Sequence, residues 1–258
     1  MVFRLPQRLV AAALALSVSG CASLSNVQTA DTLGKGKIQV GIEPGLWGGA
    51  GSGGAAFLPH VDASLRLGVA DRVDLGVRAG SSFLEFQSKF LLTTPGDPRL
   101  AISIAPTIGG VVGFGGTTSN GGAAGLLNIG VPVLIGLKVG SNSEFIIGPR
   151  VQNIVFFGSS AGSPASSYLM GLGGSLGFFF GITDTFGLLP EVAAVYPVVG
   201  GSNVTGVGGA AFQGLNAGGA LFQFKLGIII GSTRRAPTAP DLQQAPPPPP
   251  PPPPPTAM

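Results

Sequence analysis

The feature that most constrains this chain is an alternation of period two. From Phe57 to Val69, one parity carries Val61, Ala63, Leu65, Leu67 and Val69, and the other carries His60, Asp62, Ser64, Arg66 and Gly68. A β-strand with one apolar and one polar face repeats every two residues, whereas a helix would repeat every 3.6. The pattern continues through Val73, Leu75, Val77 and Ala79 against Asp74, Gly76, Arg78 and Gly80, then through Leu84, Phe86, Phe90 and Leu92 against Glu85, Gln87 and Lys89. Further strands are predicted over Lys37–Trp47, Arg99–Phe114, Leu126–Val139, Glu144–Phe157, Tyr168–Phe180, Phe186–Val199 and Leu215–Ile230, ten in all. In several of these the second face is glycine and serine, least distinctive over Tyr168–Phe180.

Side-chain parity alone leaves two folds open, because a soluble lipocalin-type barrel turns its apolar set inward and a membrane barrel turns it outward. Charge separates them. Between Ile38 and Gly231 there are eight basic and nine acidic residues, too few to clothe a water-facing exterior and enough for a small lumen. Although 44 Gly and 23 Pro raise the question of low complexity, 45% hydrophobic and 10% charged residues are the reverse of a disordered composition. Glycine-rich connections at Gly48–Ala56, Gly115–Gly125, Gly158–Ser167 and Gly200–Gly214 are long, and those at Ala70–Arg72, Gly140–Ser143 and Gly181–Thr185 are short. Successive connections of an up-and-down barrel fall on opposite rims, and membrane barrels have short periplasmic turns and longer outer loops. The expected fold is therefore an all-β, antiparallel, up-and-down transmembrane barrel of about ten strands over residues 36–231, with an even count that returns both ends to one rim.

One hairpin predicts pairs. A two-residue turn at Ser81-Ser82 makes cross-strand partners sum to 163, so Arg78 faces Glu85 and Asp74 faces Lys89. Both pairs are oppositely charged and lie on the inward parity, where they would fix register and narrow the lumen.

The first 20 residues have the layout of a secretory signal: a basic start with Arg4 and Arg8, an apolar run from Leu9 to Val18, then small residues. That run is too short to span a bilayer. Val18-Ser19-Gly20-Cys21 resembles the lipobox of bacterial lipoproteins. The resemblance implies cleavage before Cys21, a diacylglycerol on its sulfur, an acylated amine, and a short lipid-anchored linker over residues 21–35. Ala22, a non-acidic residue after the cysteine, is compatible with sorting to the outer membrane. With Trp47, Phe57, Phe114, Phe157, Tyr168 and Tyr196 at one set of strand ends and Phe90, Phe145 and Phe186 at the other, the barrel pattern resembles the aromatic girdles of bacterial outer-membrane β-barrels. The last strand carries Phe222 and Phe224 but ends in Ile228-Ile229-Ile230, where such barrels often end in an aromatic residue.

The chemistry-bearing residues are few. A single Cys and a single His leave no metal cluster and no disulfide framework, and removal of the signal leaves 12 basic against 11 acidic residues, with no footprint for nucleic acid. Two G-x-S-x-G matches, Gly158–Gly162 and Gly173–Gly177, lack the helix that a hydrolase elbow needs, and His60 precedes both. Gly49–Gly54 has dinucleotide-loop spacing without the helix that would hold phosphate. Some outer-membrane barrel enzymes use a histidine near the rim, yet His60, Asp62 and Ser64 project from one strand face nearly 7 Å apart, about two residues of strand rise. No enzyme activity, catalytic residue, cofactor or metal is expected.

Ser232–Met258 leaves the strand pattern; its run Pro246–Pro255 would extend about 31 Å as polyproline II. It is expected to be a disordered periplasmic tail, either a passenger or a docking segment for a periplasmic partner. Lys35, Lys37, Arg234 and Arg235 flank the first and last strands and would meet lipid headgroups at one rim. The resulting expectation is an outer-membrane protein, lipid-anchored through Cys21 with periplasmic termini, in a structural or envelope-interaction role, with a narrow small-solute pore as the subsidiary reading. The competing expectation is a periplasm-facing soluble lipoprotein that holds a hydrophobic ligand.

Overall fold

The computed structural model describes residues 23–51, 54–80, 83–115, 122–140, 142–160, 163–202 and 219–232. They form one antiparallel sheet of twelve strand segments: β1 (Ile38–Gly51), β2 (Gly54–Ala70), β3 (Val73–Gly80), β4 (Leu84–Leu91), β5 (Leu100–Ile104), β6 (Thr107–Gly115), β7 (Gly122–Val139), β8 (Ser143–Ile147), β9 (Arg150–Ser160), β10 (Ser163–Thr183), β11 (Phe186–Ser202) and β12 (Ala220–Gly231). β5 and β6 follow one another along a single stave between β4 and β7, and β8 and β9 do the same between β7 and β10. The result is a closed barrel of ten staves, as the alternation predicts. Closure runs through β1 and β12, with Gln39 opposite Gly231 and Ala50 opposite Ala220.

The two split staves share a cause. Pro106 and Pro149 carry no N–H and cannot complete a ladder. The breaks fall on both sides of Pro132 in β7, where the Ala105 N–H donates to the Pro132 carbonyl at 3.0 Å and the Val133 N–H donates to Pro149 at 2.9 Å. Ladder bonds next to the prolines thus keep the wall continuous across three of them.

The exterior is apolar. On β2, Val61, Leu65 and Leu67 are exposed while Asp62, Ser64 and Arg66 are buried, and on β4 Leu84, Phe86 and Phe90 face out while Glu85, Gln87 and Lys89 face in. Among the described residues every charged side chain of a strand sits on the inward parity or at the end where β1 starts, here termed the terminal rim. That sense of alternation is the reverse of a soluble ligand-binding barrel, so the competing soluble reading is set aside.

Three expectations are corrected. Three of the four glycine-rich stretches expected as loops are partly or largely ladder: Gly48–Gly51 pairs with Gly54–Phe57, Gly122–Gly125 extends β7, and Gly158–Ser160 pairs with Ser163–Ala165. Glycine shows no side-chain period and has low strand propensity, yet its backbone ladders once the register is imposed from below. The remaining stretch, Gly200–Gly214, is described only to Ser202. Trp47 belongs to the inward parity of β1 and packs against the buried cluster that includes Leu24 and Leu221 inside the barrel, so it is not part of a girdle, whereas Phe57, Phe157, Tyr168 and Tyr196 do face out.

The third correction concerns the linker expected over residues 21–35. Ser23 to Leu33 does not hang outside the barrel. It turns back from Gly34 and runs up the lumen, and Leu24, Val27, Ala30 and Leu33 are all 5% exposed or less. Cys21, the Ser81-Ser82 turn and the Pro-rich tail lie outside the described residues.

Candidate functional site

The lumen is the site, and two sets of residues build it. The first is a network of ions on β1 to β4 and β12. Arg78 and Glu85 are opposite in register and their side chains meet at 3.1 Å, as do Asp74 and Lys89. At the centre stands Glu43, wholly buried, with Arg78 Nε at 3.0 Å and Lys225 Nζ at 3.1 Å on one oxygen and the Ser64 hydroxyl donating to the other at 2.6 Å. Glu43 lies directly across from Asp62, a like-charge pairing that would be unfavourable alone. Lys225 from β12 bonds both carboxylates and resolves it.

Glu43 and Lys225 become partners only through the β1–β2 register and the β12–β1 closure, and the first of these runs through the glycine-rich stretch Gly48–Ala56, whose sequence has no alternation to show it. His60, Asp62 and Ser64 share a face but do not form a relay. His60 Nε2 lies 2.9 Å from Gln223 and 3.8 Å from Asp62, while the Ser64 hydroxyl is committed to Glu43.

The second set is the occupant. Its N–H groups donate to wall acceptors: Leu24 and Ser25 to Gln223 Oε1 at 2.7 and 2.8 Å, Asn26 and Val27 to the two oxygens of Glu191 at 2.8 and 2.5 Å, Ala30 to Glu144 at 2.7 Å, and Leu33 to Asp74 at 3.1 Å. Its carbonyls accept from wall cations: Ser25 from Arg78 at 3.0 Å, Val27 from Arg66 at 2.8 Å, and Thr29 and Asp31 from Lys89 at 3.1 and 2.6 Å. Asn26 O receives both Arg66 and Arg78. A buried backbone without sheet partners must find its hydrogen bonds elsewhere, and here charged side chains supply them.

The segment's own side chains explain its direction. Leu24, Val27, Ala30 and Leu33 recur every third residue, the repeat of an extended polyproline II-like chain. Leu24 packs with Leu126, Ile154, Leu169 and Val195, and Val27 and Ala30 pack with Leu134, Ile146, Phe179 and Leu189. Val27 has φ of 44°, a left-handed conformation rare for a β-branched residue, and it is held there by Glu191 on its N–H and Arg66 on its carbonyl. Room for it comes from glycine on the wall: a Cβ on Gly227 would stand 2.2 Å from Val27 Cγ1, and one on Gly136 would stand 2.8 Å from Ala30 Cβ.

The fold and this lumen define a class: a membrane-type β-barrel closed from within by the segment that precedes its first strand. No protein-family model matches the chain, and no curated protein matches it. Among solved structures it is similar to Neisserial surface protein A, at 13% identity over 75% of this chain and 96% of that one, with a TM-score of 0.41. It is also similar to Ail of Yersinia pestis, solved with the heparin analogue sucrose octasulfate, at 8% identity over 76% and 99% with a TM-score of 0.43. A third is the outer membrane protease OmpT of Escherichia coli, at 8% identity over 76% and 96% with a TM-score of 0.38. All three are bacterial outer-membrane β-barrels.

Proposed function

We propose that the chain is a barrel of a bacterial outer membrane with a structural or envelope-interaction role, whose residues 23–33 close the lumen until acyl groups on Cys21 are seated in the membrane and anchor it. The observation that carries this reading is the sense of the barrel: a closed ladder whose outward strand face is apolar and, among the described residues, free of charge, around a charged interior. Such a surface suits hydrocarbon, where every backbone group must be paired and no edge can be left open. The charged turns at the terminal rim, among them Asp71, Arg72, Asp97, Arg99 and Asp184, suit the periplasmic face. A narrow small-solute pore belongs to the state in which the segment is out of the lumen, and the Pro-rich tail is the element offered to a periplasmic partner.

The anchor and the occupant constrain each other. Ser23 Oγ lies 3.3 Å from Lys225 Nζ, and Lys225 is level with Gly45, seven residues along β1 from Ile38. That is roughly 15–20 Å above the terminal rim for tilted strands. Two residues of chain reach about 7 Å at most, less than that height. Acyl chains seated in the inner leaflet therefore belong to a chain whose segment has left the lumen.

The test is gel mobility of protein from a washed outer-membrane fraction, boiled against unboiled, together with the mass of its N-terminal peptide. A heat-dependent shift and two or three acyl groups on Cys21 are expected. Release by carbonate without a shift would end the membrane-barrel reading, and an unmodified N-terminal peptide would end the anchor.

A further inference from the structure

We infer that the lumen is a binding channel for an extended polypeptide, that Ser23–Leu33 is its removable occupant, and that withdrawal of the segment opens an ion-conducting pore. The inference rests on the barrel reading above and assigns the lumen a ligand class and a gate.

Three observations carry it. The wall grips the occupant by its main chain: Gln223, Glu191 and Glu144 take its N–H groups, and Arg66, Arg78 and Lys89 take its carbonyls. Recognition of that kind is available to any extended backbone, and side-chain preference enters through the apolar residues at every third position and the wall glycines that make room for Val27 and Ala30. No described residue of the segment lies in a strand, so its departure breaks no rung of the ladder. Finally, the principal ions compensate one another without the segment. Arg78 keeps Glu43 and Glu85, Lys89 keeps Asp74, and Lys225 keeps Glu43. A wall neutralised only by its occupant would be left with bare charges on release. This wall is left with wetted ion pairs on β1 to β4 and β12, while Glu191 and Arg150, which bond the segment, pass to water beside the apolar side of the channel.

What holds the segment in is the opposite wall, where Leu24, Val27 and Ala30 cover Leu134, Ile154, Leu169 and Leu189. Release therefore needs a pull, and the anchor supplies one if Cys21 is acylated at the inner leaflet.

The experiment compares preparations in planar bilayers: the acylated protein from membranes, an unacylated Cys21→Ser chain beginning at residue 21, and a chain lacking residues 23–33. The unacylated full chain is expected to be silent and the other two to conduct. A synthetic peptide of the sequence Ser23–Leu33 should close both conducting forms, and the same peptide with Asp at positions 24, 27, 30 and 33 should not. As a guard against a deletion that fails to fold, Gly227→Val places a side chain where Val27 sits and should open the unacylated chain without removing anything. A deleted or Gly227→Val barrel that shows the heat shift yet stays silent would overturn the pore, and conductance indifferent to the native peptide would overturn the channel's ligand. An N-terminal peptide without acyl groups would remove only the proposed pull, because the deletion, Gly227→Val and peptide arms do not use it.

Discussion

The two walls of the lumen are made differently. On β1 to β4 and β12 the inward positions include Glu43, Asp62, Arg66, Asp74, Arg78, Glu85, Lys89 and Lys225, all buried and paired across strands, with apolar Leu91, Leu221 and Ile229 toward the strand ends. On β5 to β11 they are mostly Ala101, Leu134, Ile146, Ile154, Leu169, Phe179, Leu189 and Val195, broken by Glu144, Arg150 and Glu191. The charged wall is complete in itself, since its charges satisfy one another and fix its register. The apolar wall is incomplete: it needs a cover, and its few acids need donors. Residues 23–33 meet both needs, with apolar side chains toward the aliphatic residues and N–H groups toward Glu144 and Glu191. A barrel this size can thus carry charge inside and still be closed by eleven residues of backbone.

The comparison breaks most visibly at Arg78, which is fully buried between Glu43 and Glu85. Arg78→Met should lower stability by about 3–5 kcal/mol, because it leaves buried carboxylates short of a cation. Urea unfolding followed by loss of the heat-shifted band measures it, and Glu85→Gln added to that variant should recover part of the loss. A cost below that of an apolar truncation would show that the charged wall is not self-sufficient.

On the apolar wall, Ile154→Ala should cost about 2–4 kcal/mol through lost packing and a residual cavity. Ile154 shares a buried cluster with Leu24, so the same substitution should cost less in a chain lacking residues 23–33, whereas Arg78→Met should keep in that chain the share of its cost that comes from Glu43 and Glu85 and lose only the share from its bonds to Ser25 and Asn26. Equal losses in the two backgrounds would mean the segment is not the cover of that wall. Lys138 sharpens the contrast from the rim. Its ion pair with Glu144 is a fifth exposed on the lysine side, and Lys138→Ala should cost no more than about 1 kcal/mol. Glu144 retains the Ala30 N–H in that variant, so occupancy of the lumen should be unchanged by thiol labelling of an Asn26→Cys reporter in a Cys21→Ser background.

How much of this was legible in the sequence depends on what each residue shows to its neighbours. Strands such as Phe57–Val69 announce themselves because polar and apolar side chains alternate, and the Arg78/Glu85 and Asp74/Lys89 register follows from one tight turn. The ladder through Gly48–Gly51 and Gly158–Ser160 was illegible, since glycine has no side chain to alternate. Pro106 and Pro149 split the single strands expected over Arg99–Phe114 and Glu144–Phe157, and the continuity of their staves depends on where Pro132 falls in a third strand. The lumen's occupant left the faintest trace. Leu24, Val27, Ala30 and Leu33 repeat every three residues, a period of neither helix nor strand, so the stretch looks like a linker unless an unlined barrel is already in view. Glu191, Glu144 and Gln223 were equally quiet, because their partners are main-chain groups more than a hundred positions away.

The smallest expected effect lies where one wall gives way to the other, in the connection from β4 to β5. Thr94-Pro95-Gly96-Asp97 forms a turn in which Gly96 takes φ of 73° and the Asp97 N–H donates to the Thr94 carbonyl at 3.2 Å, as a type II turn with proline then glycine requires. The Asp97 carboxylate then accepts the N–H of Arg99 at 2.8 Å and of Leu100 at 3.0 Å, which starts β5. The N–H of Arg99, followed by that of Leu100, holds its pKa below the ordinary 3.8. A carboxyl lowered on folding adds stability that is complete above its unfolded value and is lost as pH falls through the folded one. Asp97→Ala should therefore lower the temperature of the heat shift slightly at neutral pH, and the difference from the parent should vanish in acid. Asp97→Asn should lose less at neutral pH, since its amide oxygen still accepts both N–H groups. Because the group is exposed to water and far from the ion network, neither variant should alter closure of the lumen. A change in conductance would show instead that the junction between the walls is part of the gate.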